Sequence, residues 1–395
     1  MIGPAAKRHQ LRRLAAAALC CALAISAGGC ASVFNREYVT VSDHVDEYLE
    51  PETMSRTNEV RNYAQMRNTV LSMVEAGAES FLFTTQDYTG NAKEDISRAC
   101  LEVTRETPIG AYAVEYMTHY CTQILTYYRI EVFVTYKHTP EEIAAVRRVS
   151  GERELLESVV EDVVEYRPYA AYGFVGIDAD ESLIRAAVTE SYRSSPVRLT
   201  DMPDISCSVY PNDGSVQKII EIKYDYSAPQ EILSLRRAAI LSSAGAMLYD
   251  CPSDATALDV FEAMKPKCSF VPDGGNSVHD AIVLGEAGCE GVAMAFKLLC
   301  DLTNVECLVV EGKRDGEPYF WNIVRVGDGL YHSDIAECLA NGPESSFMLR
   351  DADMWGRYFW DTAEYPSCEG ELTYEDLFED LRNEPPSPPE EGPND

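Results

Sequence analysis

A cysteine stands in the run Gly288-Cys289-Glu290-Gly291-Val292-Ala293-Met294-Ala295-Phe296, where Val292, Ala295, Phe296 and Leu299 fall on one face of a helix. A thiol at that helix N-terminus meets the positive end of the dipole, which lowers its pKa and favours the thiolate. The first backbone N–H groups of the helix lack intrahelical partners and can hold an oxyanion. Gly291, Ala293 and Ala295 are small enough to let the helix pack closely on a sheet. This is the chemistry of a cysteine nucleophile, but a cysteine ahead of a helix is also common in a plain core. A nucleophile further needs a base to take its proton and return it to the leaving group.

The elements that must position such residues follow in the chain. Val305 to Glu311 reads as a buried strand, Gly312 to Gly316 as a turn and Tyr319 to Val326 as a strand. Gly327-Asp328-Gly329 reads as a turn and Leu330 to Ile335 as a further strand. A helix followed by an antiparallel meander predicts an α+β domain, a layout that resembles a papain-like core. The residues Gly288-Cys289-Glu290-Gly291, Leu299-Cys300, Val305-Glu306-Cys307, Trp321-Asn322 and Tyr331-His332-Ser333-Asp334 occur in that order, followed by Phe347, Asp351, Trp360 and Tyr365-Pro366. On these residues the segment 235–366 resembles the transglutaminase-like family of papain-type cysteine domains; the resemblance does not extend to the N-terminal half.

The resemblance implies a Cys-His-Asp triad in which Cys289 is the nucleophile and Asp334 the acid. The family's histidine lies two residues before the tryptophan. Here the run is Tyr319-Phe320-Trp321-Asn322, so Tyr319 occupies the histidine position. A phenol with a pKa near ~10 is a poor acceptor for a thiol proton at neutral pH. Without an imidazolium, Cys289 keeps only the helix dipole to stabilise a thiolate. His332 is the candidate surrogate base, since it lies two residues before Asp334 and on the same strand face. Whether it faces Cys289 depends on the hairpin register, and the family often carries a histidine there beside the catalytic one. His279, in the loop before Cys289, reads as a surface residue. Trp321 and Asn322 read as cleft residues, a role compatible with core packing for Trp321. No cofactor is implied, and no His/Cys cluster has metal-ligand spacing.

The N-terminus reads as an address. Lys7, Arg8, Arg12 and Arg13 precede an uncharged stretch from Leu14 to Ala27, too short to span a bilayer but suited to a signal-peptide core. The stretch ends in Ala27-Gly28-Gly29-Cys30, which resembles a bacterial lipobox. That resemblance implies cleavage after residue 29, lipidation of Cys30, and a chain anchored to the membrane on its extracytoplasmic face. Of 13 cysteines, ten remain once Cys20, Cys21 and Cys30 are set aside. Their scattered spacing fixes no pairing; Cys300 and Cys307 read as buried thiols or as a pair.

The formal charge is −32. Beyond residue 29 the chain holds 29 cations against 65 acids, or −36. Such a surface repels nucleic-acid phosphates, which excludes that partner class.

Residues 30–77 read as a lead segment, with a strand at Tyr38–Val41 and a helix from Glu59 to Ala76 carrying Met66, Val70 and Met73 on one face. Residues 78–234 read as an α+β region in which 80–143 and 170–232 look alike. Each copy has an aromatic strand, a helix, two strands and then a Pro-initiated helix, as in Tyr136…Pro140 and Tyr224…Pro229. Chance similarity is the alternative to a duplicated β-α-β-β unit. The acidic helix from Glu152 to Tyr166 lies between the copies, and His44, His119 and His138 show no partner pattern. Residues 367–395 read as an acidic, Pro-rich tail, disordered from Glu384.

Three functions fit these features. One is a non-catalytic cleft on a membrane-tethered scaffold that binds peptide, peptidoglycan or a surface protein. The second is an active cysteine peptidase, amidase or acyltransferase using Cys289 with His332. The third is a structural lipoprotein whose repeated units form the interaction surface.

Overall fold

The computed structural model describes residues 59–212 and 214–377. The signal peptide, Cys30, His44, the Tyr38–Val41 strand and the Glu384–Asp395 segment lie outside these residues. The described chain is α+β, with mainly antiparallel sheets and, in its C-terminal part, the expected helix followed by an antiparallel meander.

The first part runs β1 (Glu59–Val60), α1 (Tyr63–Glu75), β2 (Ser80–Thr85), α2 (Ala92–Glu106), α3 (Pro108–Ala113), β3 (Val114–Ile124), β4 (Tyr127–Tyr136) and α4 (Pro140–Ala144). The helix expected from Glu59 starts later because Asn62 caps it, accepting from the Gln65 N–H, while Glu59 and Val60 pair in parallel with Thr84 and Thr85. Its buried stripe is Met66, Val70 and Val74, one position on from the expected Met73.

The second part repeats this order: β5 (Arg147–Arg148), α5 (Glu152–Val164), β6 (Tyr169–Val175), α6 (Glu181–Ser194), β7 (Asp204–Tyr210), β8 (Gln217–Asp225) and α7 (Gln230–Met247). Apart from α3, which has no counterpart, each element starts 88 to 90 residues after its equivalent. The two sheets have matching strand orders, β1-β2-β4-β3 and β5-β6-β8-β7. The repeated unit is therefore β-α-β-α-β-β, larger than the expected β-α-β-β. The helix at Glu152 is not a spacer but the first helix of the second unit.

The units differ in what covers the outer sheet face. On the second sheet, Ala171 and Ile219 are buried in the first unit's core cluster. Tyr112 of α3 stacks on His138 at 4.2 Å, sets its ring edge against Tyr210 at 5.9 Å, and joins its hydroxyl to that of Tyr169. On the first sheet the equivalent face is exposed.

The C-terminal part comprises α8 (Ala257–Met264), β9 (Ser269–Phe270), a π-helical turn at Asp280–Leu284, β10 (Glu286–Ala287), α9 (Cys289–Leu302), β11 (Cys307–Arg314), β12 (Glu317–Val326), β13 (Gly329–Ser333), α10 (Ile335–Asn341), α11 (Asp351–Met354) and β14 (Tyr358–Phe359). The sheet order is β13-β12-β11-β14. Helix α9 is buried on all sides from Gly291 to Cys300, as a helix in the middle of a core must be. It shares one apolar cluster with the second unit.

Strand β11 runs on to Arg314, so the expected Gly312–Gly316 turn shrinks to Asp315-Gly316, both with positive φ. Gly312 is a strand residue instead. A Cβ there would lie 2.6 Å from the Trp321 ring and 2.4 Å from the Phe359 carbonyl oxygen. The chain expected to leave the domain at 367 stays packed through 377. Cys368 is buried, and Tyr374 sets its ring edge against Phe347 at 6.1 Å.

Candidate active site

Cys289 is the first residue of α9 and follows Gly288 in extended conformation. The helix start is pressed against the loop at 274–277. A Cβ on Gly288 would lie 2.8 Å from Asn276 Oδ1, and one on Gly291 would lie 3.0 Å from the carbonyl oxygens of both Gly275 and Ser277. Gly291 therefore serves a loop contact rather than the expected sheet contact. The sulphur is half-buried, and the backbone N–H groups of Phe320 and Glu290 are directed at it. Burial pushes the thiol above its ordinary value. The two N–H groups oppose this, and the charges of Asp334 and Glu290 add to it. The expected depression of the pKa by the helix N-terminus is thus reversed by desolvation.

Asp334 follows β13 and caps α10, accepting from the Glu337 N–H at 3.0 Å through Oδ1. The Tyr319 hydroxyl donates to the same oxygen at 3.2 Å. Oδ2 accepts from the Tyr358 hydroxyl at 2.7 Å and from Arg314 Nη1 at 2.9 Å. Arg314 also donates to the Tyr319 hydroxyl at 2.8 Å and to Glu337. Its guanidinium carbon lies 5.0 Å from the Tyr319 ring centroid and 5.5 Å from that of Tyr358. Asp334 is fully buried; burial raises its pKa, and these four donors restrain the rise. The Tyr319 phenol is raised far above its ordinary value, by burial first and by the charge of Asp334 second. It is a weaker acid than a free phenol and spends its proton on Asp334.

His332 is fully buried. Its Nδ1 accepts from Trp321 Nε1 at 3.0 Å. The indole nitrogen only donates, so the imidazole proton sits on Nε2, which donates to Asp351 Oδ1 at 2.9 Å. Both ring nitrogens are thus engaged, and neither is directed at Cys289. Cys368 joins His332 and Asp351 to make a trio whose ligand atoms lie within 4.8 Å of one another. A metal on Nε2 needs that lone pair free and favours a proton on Nδ1. The bond from Trp321 imposes the opposite tautomer, so the trio is a hydrogen-bonded cluster and not a built metal site.

Trp321 and Asn322 do not line a cleft; both are fully buried. Trp321 meets Tyr358 and Trp360 edge-on at 5.3 and 6.0 Å. Asn322 points the other way, donating to the Ala293 carbonyl oxygen at 3.0 Å and tying β12 to α9. The alternation of a strand places 321 and 322 on opposite faces. His279 is half-buried ahead of the π-helical turn. His119 and His138 do have partners, Ser97 at 3.1 Å and the Tyr112 ring. Cys300 and Cys307 are buried free thiols in contact with each other.

Sequence reasoning missed Arg314, Tyr358 and Glu337. None of the three carried a signal, since Arg314 follows Lys313 in what read as a charged turn. It also missed the reach of the second unit. Arg193 of α6 pairs with Glu311 at 2.6 Å and lies over the Phe320 ring at 5.6 Å. Glu290, beside Cys289, is pushed up by burial and pulled back by Arg193.

No family model matches this sequence, and no curated protein matches it. Among solved structures, the chain is similar to one described as a TGase, with a TM-score of 0.23 and 11% identity over 52% of this chain and 60% of that one. It is also similar to a proposed cysteine protease from Cytophaga hutchinsonii, with a TM-score of 0.22 and 10% identity over 34% of this chain and 62% of that one. The chain therefore spans less than two thirds of either neighbour. At these scores neither neighbour informs the chemistry of Cys289, which stands on the geometry alone.

Proposed function

We propose that the protein is an extracytoplasmic lipoprotein, anchored through Cys30, whose C-terminal domain is a degenerate transglutaminase-like module that binds rather than turns over. Its ligand would be peptide, a cell-wall stem peptide or a surface protein. One observation carries this reading: Arg314 and Tyr319 fill the space beside Asp334 where a triad needs an imidazole. A guanidinium cannot release its proton at neutral pH and the phenol holds its own, so neither group supplies the base that an imidazole would. The thiol of Cys289 is itself held in its protonated form by burial. The alternative, an active cysteine hydrolase with His332 as base, requires a ring nitrogen that Trp321 and Asp351 both leave free.

The test compares the native chain with Cys289→Ala in amide hydrolysis and amine incorporation. Equal background rates are expected. Turnover that disappears with Cys289 overturns the reading. The anchor is tested separately by palmitate labelling, which should be lost in Cys30→Ser.

A further inference from the structure

The two units have one topology but treat their outermost strand in opposite ways. In the second unit the free edge of β7 is closed by its own helix. The Cys207 N–H donates to Glu181 at 3.3 Å, and Arg185 donates to the Ile205 carbonyl oxygen. Strand β7 is 7 residues long and is followed by Pro211. The equivalent β3 runs for 11 residues, and past its first N–H, which Val114 donates to the Gly110 carbonyl oxygen, no described residue is seen bonding to its free edge. Ser97, on the helix above it, bonds within its own helix to the Lys93 carbonyl oxygen at 3.1 Å and meets the His119 ring, not the strand's backbone.

An open edge is a template for another strand. Beyond the register shift between Val114 and Tyr116 at its start, strand β3 lacks the features that discourage pairing. It has no proline or lysine, and its single charge is Glu115, in a chain of net charge −32. Its outer face continues the aromatic surface of the sheet. Tyr116 is 54% exposed, Tyr120 66% and Phe133 42%, with Tyr120 edge-on to Phe133 at 6.0 Å. The charges there cancel, since Arg129 pairs with Glu131 at 2.8 Å.

We propose that β3 is a homodimer surface, pairing antiparallel with β3 of a second copy about a two-fold axis. The two four-stranded sheets then become one of eight strands, with Tyr116 and Tyr120 packed across the junction. A second copy suits this edge because antiparallel self-pairing places one strand opposite itself and needs no other sequence. The near-absence of charge also removes the repulsion that the rest of the surface imposes between copies.

The experiment is sedimentation equilibrium of the full chain, beside amide hydrogen exchange across residues 114–124. A dimer is expected, with exchange in β3 slowing as concentration rises. Thr118→Lys/Tyr120→Lys sets like charges against each other across the axis and should weaken the dimer about ten-fold or more. Both positions are exposed, so the fold and its circular dichroism should be unchanged. A monomer at every concentration overturns the proposal, whether or not β3 accepts a foreign strand. So does a dimer indifferent to the two lysines whose β3 exchange ignores concentration.

Discussion

Arg314→Met tests the buried ion pair on which the proposed loss of catalysis rests. The substitution keeps much of the aliphatic stem and removes only the guanidinium. Asp334, fully buried, loses Nη1 at 2.9 Å but keeps Tyr358 at 2.7 Å, Tyr319 at 3.2 Å and the Glu337 N–H at 3.0 Å. Removing one partner of a buried pair costs about 3–5 kcal/mol. Three surviving donors place this case near the lower end, about 3 kcal/mol at pH 7. Glu337, at 16% exposure, adds less than about 1 kcal/mol. The pH dependence sharpens the test. Burial already holds the Asp334 pKa above its ordinary value, and loss of the cation raises it further. Where the folded pKa exceeds the unfolded one, the native state keeps a proton that the unfolded chain has released. Stability then falls as pH rises from the ordinary carboxylate value, about 3.9, toward the folded value. The variant should therefore lose more at pH 7 than at pH 4 in urea unfolding, and Asp334→Asn added to it should recover most of the loss. A cost below about 1 kcal/mol at pH 7, or one equal at both pH values, would refute the ion-pair account.

The remaining predictions concern the groups around this cluster. Iodoacetamide should label Cys289 with a pH midpoint above that of a free thiol, because burial outweighs the two N–H donors; a midpoint below it would contradict the desolvation argument. His332 is held below the ordinary imidazole value by burial, with Asp351 opposing. The unfolded chain therefore takes up its proton first as pH falls below about 6.5, and stability drops with it. His332→Gln should flatten that slope between pH 7 and pH 5, and an unchanged slope would exclude His332 as its source. Gly291→Ala should cost about 1–3 kcal/mol, since its Cβ meets two carbonyl oxygens at 3.0 Å; a neutral outcome in urea unfolding would show that the 274–277 loop gives way.

The C-terminal elements were legible because apolar runs and Gly-Asp punctuation agree with one another there. Cys289, Tyr319 and Asp334 could be named for the same reason. Arg314 was not legible because Gly312 and Gly316 bracket it, and two glycines read as a turn. Gly312 is there for the Trp321 ring, a contact no local pattern can display. The repeat was under-read at its front. Two-residue strands such as Glu59–Val60 carry no period, so the first helix of each unit lacked a strand to belong to. Trp321 and Asn322 were placed in a cleft by resemblance, although strand alternation already assigned them to opposite faces. The pKa of Cys289 was misjudged because dipole direction is local, whereas burial depends on tertiary packing, as of strand β12, whose Phe320 N–H meets the thiol.

Asp334 has structural work independent of any catalysis, and this governs what repair would require. It caps α10 and gathers Tyr319, Tyr358 and Arg314 around one carboxylate. Tyr319→His alone would set an imidazole beside a guanidinium that still occupies Asp334 Oδ2. The adjacent cation disfavours a second positive charge, so the imidazole pKa would fall and the thiolate–imidazolium pair would not form. Amide hydrolysis should stay at background in Tyr319→His. A gain should require Tyr319→His/Arg314→Gln, which frees one carboxylate lone pair for the ring. A Cys289-dependent rate in the single variant would show that Arg314 does not restrain the site; no rate in the double variant would place the defect in the buried thiol itself.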